Sequence, residues 1–337
     1  NLLGIDWTAE GIFSKSLNDV YYKNLAYEES GKTLSQTSYM NWDNRPLYTK
    51  VADAKSFTNI YAMYNTSKGY SYSLSLSAAK HFAFGLDLNA SYTFTHSESV
   101  SSMTSSVAQS NWRNTHTYRF SNNPELANSG YNVPHTVKAS AFYHFNCGTN
   151  KLFTTTVGLI YQGQSGSPYS LVYSGDINGD NGTSNDLIFI PTDAQVDQMQ
   201  FLGTDAYTAE QQRANLKQWL ATTRYVKDHR GEYFERYGDN LPFESHFDFH
   251  FGQKFGIRTG KYVHALELTL DIMNVANLLN KDWGRTFSSG YNSEFVSPIT
   301  YKGDGVFQFA NPSDMPLKYP SSYYSRWRGQ VGLKYTF

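Results

Sequence analysis

The sequence predicts an all-β fold: antiparallel strands of a membrane-spanning barrel with long loops at one end. Three observations lead there. Apolar and polar residues alternate one for one over runs well past the ~5–6 residues usual in strands. The connections between those runs are short and long by turns. The last stretch, RWRGQVGLKYTF from Arg326 to Phe337, is itself a two-sided strand ending on an aromatic side chain.

The alternation starts almost at once, with Ile5, Trp7 and Ala9 set against Asp6, Thr8 and Glu10. Residues 1–28 read as one strand or as a tight hairpin. In residues 70–79, Tyr70, Tyr72, Leu74, Leu76 and Ala78 share one face and four serines share the other. Residues 82–97 repeat the pattern, with Phe82, Phe84, Leu86, Leu88, Ala90, Tyr92 and Phe94 on the greasy side. Val137, Ala139, Ala141, Tyr143 and Phe145 follow, and Phe142 is out of step. Phe243, Phe247, Phe249, Phe251 and Phe255 oppose Glu244, His246, Asp248, His250 and Lys254. Leu266, Leu268, Leu270 and Ile272 oppose Glu267, Thr269 and Asp271. The final strand sets Val331, Leu333, Tyr335 and Phe337 against Arg328, Gln330 and Lys334. Period two at this length means strands with one face out of water, and charges on the other face mean that it is wet. About eight such strands are expected, or nine.

Short connections are expected at residues 80–81, 147–150 and 256–260. Long ones are expected at 29–56, 98–133, 172–240 and 278–325. Short periplasmic turns and long extracellular loops are the pattern of outer-membrane barrels. This parity decides residues 57–79, where NTSKG would otherwise pass for a hairpin turn. One long descending strand with a kink or bulge near Gly69 keeps the order. The last strand must then descend too, which puts Phe337 at the periplasmic rim, with Tyr and Trp at strand ends as an interfacial girdle. One loop carries a helix. Thr208 and Gln211 form a capping box, Leu216, Trp219 and Leu220 an apolar stripe, and Gly231 follows its end.

Composition narrows the class. The chain has 337 residues, 17% of them charged, and a net charge of −1, which excludes the basic footprint of a nucleic-acid binder. A single cysteine, Cys147, excludes an internal disulfide and a multi-cysteine metal site. No run approaches the ~18 apolar residues of a membrane helix, a test that alternating strands escape. Asn1 opens the chain without Met or a signal peptide and close to an alternating run. A proteolytic or split C-terminal piece of a longer protein is therefore expected.

Asp176, Asn178, Asp180, Asn185 and Asp186 crowd into one predicted extracellular loop, GDINGDNGTSND. Alternate oxygen ligands around glycine resemble calcium loops, in which ligands at positions 1, 3 and 5 precede Gly at 6 and an acid at 12. Here Asn181 holds the sixth position, Gly182 comes one later and Leu187 holds the twelfth, so the match is partial. Asx residues also build turns without metal. Calcium and a metal-free turn network both stay open. His246, Asp248 and His250 share a strand face. Neighbours two apart can reach one ion, whereas four apart means ~13 Å, and a wet lumen explains all three without metal. His135 reads as an interfacial polar residue. The loop aromatics Trp42, Tyr48, Trp112, Tyr118, Trp283 and Tyr301 suit stacking on a sugar or a peptide, or simply packing the loops or the interfacial girdle. No nucleophile elbow, zinc-protease helix or phosphate loop occurs, and no enzyme is expected.

The segments EGIFSKSLNDVYYKNL, YNTSKGYSYSLSLS, GDINGDNGTSNDLIFIP, RGEYFERYGDNLPF, LDIMNVANLLNKDWGR and RWRGQVGLKYTF span nearly the whole chain. In this order they resemble the C-terminal part of a TonB-dependent outer-membrane receptor of the Oar-like group, Bacteroidota type. The resemblance implies that residues 1–337 are about eight strands of a 22-stranded antiparallel transmembrane barrel. The plug domain, the TonB box and the other strands would lie outside this sequence. It implies a place in the outer membrane of a Gram-negative bacterium and import of a loop-bound ligand, energised through TonB. The partners it implies are outer-membrane lipids, the missing strands and plug, and the barrel-assembly machinery that reads the terminal strand. Calcium in the Asp/Asn loop is the one cofactor expected. A SusC-type glycan importer beneath a surface lipoprotein, and a structural or adhesive barrel without transport, are the rival readings.

Overall fold

The computed structural model describes residues 4–147, 152–289, 295–309, 319–321 and 323–337. Eight long strands form one antiparallel sheet: β1 (Asp6–Lys15), β2 (Tyr70–His81), β3 (Leu86–Ser99), β4 (His135–Cys147), β5 (Phe153–Gln164), β6 (Glu244–Thr259), β7 (Tyr262–Met273) and β8 (Arg328–Thr336). Each pairs with its neighbours in chain order.

The register converts the alternation of each strand into two faces. Trp7, Ala78, Ala90, Ala139, Tyr161 and Phe247 stand side by side across six strands. One position along, Thr8, Ser77, Ser91, Lys138, Gln162 and His246 do the same on the opposite face. Leaving a Leu or Val in water forgoes ~1.5–3 kcal/mol of burial. Val331 and Leu333 are each 71% exposed and Leu74 is 58% exposed, so this greasy face needs lipid against it. At the short-turn end, Phe84, Tyr143, Phe145, Phe153 and Phe255 form a band of ring contacts, the aromatic girdle of a membrane barrel. Phe142, out of step in the sequence, pairs with Gly158, and its ring lies over the space that a side chain there would fill.

The turns differ in detail from expectation. The β2–β3 turn is residues 82–85, not 80–81, so Phe82 and Phe84 leave the strand. Gly85 decides it. Its φ is +98°, and a Cβ there would lie 2.6 Å from the His144 carbonyl oxygen. Gly260 and Lys261 alone form the β6–β7 turn, because Thr259 already pairs with Tyr262, and residues 256–259 belong to the strand. The expected turn at 147–150 falls mostly outside the described residues. The kink near Gly69 is present. Beyond Lys15 the β1–β2 ribbon breaks at residues 16–18 and 67–69, then resumes as Asp19–Asn24 against Tyr61–Thr66. Lys15 faces Tyr70 and Asp19 faces Thr66, so no register is lost. Residues 6–24 are thus one bent strand, not a hairpin.

β8 runs antiparallel to β7 toward the short-turn end. Among the described residues β1 pairs only with β2 along its wall segment, and β8 only with β7, so the sheet is open at both edges.

The described residues between the wall segments, within 16–69, 100–134, 165–243 and 274–327, build a cap with its own core, into which the bent β1–β2 ribbon rises. Leu34 from the first, Leu171, Ile188 and Trp219 from the third, and Ile299 and Phe307 from the fourth belong to one buried cluster. The cap sheet is mixed. Pro168–Ser174 pairs in parallel with Phe295–Tyr301, and Gln200–Phe201 in parallel with Val306–Phe309. The helix Ala209–Thr222 starts at the expected capping box: the Gln211 N–H donates to Thr208 Oγ1 at 3.2 Å and the Thr208 N–H to Gln211 Oε1 at 2.8 Å. Leu216, Trp219 and Leu220 are its buried face. It stops at Thr223, and Arg224–Asp228 forms a separate short helix before Gly231.

Candidate metal centre

The strand Pro168–Ser174 delivers the chain into the Asp/Asn loop, which folds back on itself through backbone-to-carboxylate hydrogen bonds. The N–H groups of Gly179 and Asp180 donate to Asp176 Oδ1 at 2.7 and 3.2 Å, and that of Asn181 to Oδ2 at 2.8 Å. The Gly182 N–H donates to Asp180 Oδ1 at 2.8 Å. Asx side chains turn a chain in this way by offering it acceptors close by.

The fold brings the five predicted residues together but gives them different tasks. One oxygen from each of Asp176, Asp180 and Asp186 lies within 4.8 Å of the other two. Asp180 and Asp186 are completely buried. Asn178 is a brace: its carbonyl accepts the Asp180 N–H and its amide donates to Asp186 Oδ1 at 2.6 Å. Asn185 donates to Asp180 Oδ2 at 2.8 Å and to Ser121 Oγ at 3.0 Å. Two buried acceptors have no hydrogen-bond partner among the described residues, Asn185 Oδ1 and Asp186 Oδ2.

The balance of charge is poor. Arg45 reaches Asp186 at 3.5 Å, but its Nε is committed to Asp43 at 2.9 Å and its Nη2 to the Leu187 carbonyl. Burial, and after it the Asp176 charge, pushes Asp180 up to about 7. Burial and then the Asp180 charge raise Asp186, and burial raises Asp176. Close carboxylates in a dry site resist ionising together. Carboxylate and amide oxygens are the donors that calcium takes. Arg45, Asp43 and Ser121 have no motif in the sequence. They arrive from other loops, Arg45 from 141 positions away.

The second candidate cluster does not converge. His250 pairs with Asp271 at 2.6 Å, Asp248 accepts the Asn274 N–H at 2.7 Å, and His246 meets Thr286 at 3.2 Å. His135 bonds the Tyr92 hydroxyl at 2.8 Å. Most of the loop aromatics pack the cap. Trp112 is buried and donates to Asn122, Tyr48 stacks on Phe120, Tyr301 lies against Phe307, and Trp42 packs against the core. Trp283 stays exposed.

Tyr118 stacks on Tyr233 at 4.1 Å, and this pair lines two cavities. One, of about 370 Å³, is also lined by His116, Glu125 and Arg236. The other, of about 690 Å³, is also lined by Glu29, Arg119 and Asn123. Volumes of this order suit a small ligand. His116 is buried with both ring nitrogens unpartnered among the described residues, and burial followed by the Arg236 charge lowers it to about 3.

No curated protein and no solved structure gives a significant match to the chain. Residues 11–295 match the family described as outer membrane beta barrel domain. That covers well over half of the chain, and it includes the second half of β1, the wall from β2 to β7 and most of the cap. The chain belongs to the outer membrane beta barrel domain family, and its place is the outer membrane.

Proposed function

We propose that the chain is the C-terminal part of a TonB-dependent receptor, which captures a ligand with its extracellular cap and imports it through a plugged barrel. The observation that carries this reading is the cap. Its loops share one core and carry two cavities of ligand size lined by charged and aromatic side chains, an investment that a purely structural barrel does not require. The open edges support it as well. In lipid every backbone polar group needs a partner, so β1 and β8 call for further strands. A 22-stranded barrel with a plug supplies them. The reading assigns no enzymatic activity.

The test is binding of the intact outer-membrane protein, in detergent, to the soluble C-terminal domain of TonB. Saturable binding that is lost on removing the segment upstream of the barrel supports the receptor. A protein that purifies without a plug and ignores TonB is a structural or adhesive barrel, and the reading falls. A surface lipoprotein that co-purifies with a TonB-binding receptor places it among SusC-type importers.

A further inference from the structure

We propose that Asp176, Asp180 and Asp186 hold one calcium ion, and that this ion clamps the first and second loops onto the third. The spacing fits. Calcium takes oxygens at ~2.3–2.6 Å, so two oxygens on opposite sides of one ion stand up to ~5 Å apart. The three carboxylate oxygens lie within 4.8 Å of one another. Magnesium binds at ~2.0–2.1 Å in a stricter octahedron and keeps its waters, which suits this wider and drier cluster less well.

Beside the carboxylate spacing, buried oxygens without a donor point to a ligand. Asn185 is fully buried, its amide N–H groups are spent on Asp180 and Ser121, and its oxygen is left without a donor. Asp186 is fully buried too and keeps Oδ2 unpartnered. A buried acceptor left unsatisfied costs ~1–3 kcal/mol, more if charged. A cation among the three carboxylates satisfies Asp186 and offsets the charge that Arg45, shared with Asp43, leaves unbalanced.

The clamp follows from what grips the loop from outside. From the first loop, the Tyr48 N–H donates to the Asn178 carbonyl at 2.8 Å, and Asn59 Oδ1 accepts from Asn181 Nδ2 at 3.0 Å. Gly179, at φ +83°, passes so close that a Cβ would sit 2.9 Å from the Tyr48 carbonyl oxygen. From the second loop, the Thr117 N–H donates to the Asn185 carbonyl at 2.9 Å and the Thr117 carbonyl accepts the Leu187 N–H at 3.1 Å. These contacts exist only while the Asp/Asn loop keeps its shape. An ion inside it thereby sets the position of two neighbouring loops, and extracellular calcium modules work at ~0.1–1 mM.

The experiment uses the intact protein in detergent after chelator treatment. Terbium is the probe, excited through tyrosine, and calcium is the competitor. We expect a saturable terbium signal displaced by calcium and a calcium-dependent rise in the melting temperature of the cap. We also expect protection of Lys50, Lys55, Arg113 and Arg119 from trypsin. Asp176→Asn and Asp180→Asn keep the shape and one acceptor, and each should weaken calcium binding by at least ~10-fold. A parent protein without terbium signal or melting shift overturns the proposal. So does a parent whose response is kept at equal affinity in both variants, which would put the ion elsewhere. If neither variant folds, proteolysis of the parent decides the clamp: equal cleavage with and without calcium overturns it.

Discussion

The wall and the cap place their apolar side chains by opposite rules. Among the described residues, Ala265 is the only buried apolar residue that a wall strand supplies. The cap holds Leu171, Ile188, Leu216, Ile299 and Phe307, all completely buried. Both regions are strand-rich and both are full of aromatics. The difference is the solvent. The wall turns its greasy face outward to lipid and needs no inner core, so a period of two is its whole design. The cap sits in water and must enclose its apolar groups, so it recruits them from loops far apart in the chain.

The largest expected effect tests whether the cap core is a real core. Trp219→Ala should cost ~3–5 kcal/mol of cap stability, read from the cap's melting in detergent, because it empties a buried site in the shared cluster. Leu333→Ala on the lipid face should leave that transition unmoved. Equal losses from the two would erase the distinction between the regions. Next in size is the assignment of faces. Leu76→Arg, in the middle of β2, should cost ~2–4 kcal/mol of barrel stability, measured by refolding into vesicles, and Ser75→Arg close to nothing. The reverse order would turn the wall inside out.

The pH dependence of the cap comes third. His116 titrates near 3 when folded, below the ordinary ~6.5 that it regains on unfolding. The unfolded state therefore binds the extra proton between these values. Stability is complete above about pH 6.5 and falls as the pH drops toward 3, by ~1.4 kcal/mol per unit for this one group. Arg236 faces His116, Tyr237 and Phe295 flank it, and Glu125 and Glu235 share its cavity. The comparison of parent with His116→Gln across pH 4–7, at constant calcium, isolates the effect. Parallel curves would remove His116 from the account. The smallest effect is local. Thr208→Ala should cost ~1 kcal/mol by opening the capping box, measurable in the same melting experiment, and no change would mean that tertiary packing alone holds that helix.

Legibility in the sequence followed the same division. The strands, their faces, the kink near Gly69 and the descent of the last strand were readable, because each depends on neighbours one or two positions away. The turn at residues 82–85 was misread. Phe82 and Phe84 continue the alternation, and what ends the strand is the close approach of Gly85 to His144 on another strand. The Asp/Asn loop was visible because its five residues are near neighbours in the chain. Its surroundings were not, since Arg45, Tyr48 and Ser121 reach it only in three dimensions. The loop aromatics stayed open between ligand stacking and packing, because a polar loop gives no hint that Trp112 will be sealed under it.

The sequence by itself determined the wall: which segments cross, which side chains meet lipid and which end carries the long loops. A barrel strand needs only its own alternation and a bilayer to tell inside from outside. Tertiary structure alone decided that the loops form one cap, that Pro168–Ser174 and Phe295–Tyr301 lie side by side in parallel, and that a half-buried aspartate meets two fully buried ones. Those outcomes depend on contacts between distant parts of the chain, formed as water is driven from a shared core, and no local period encodes them.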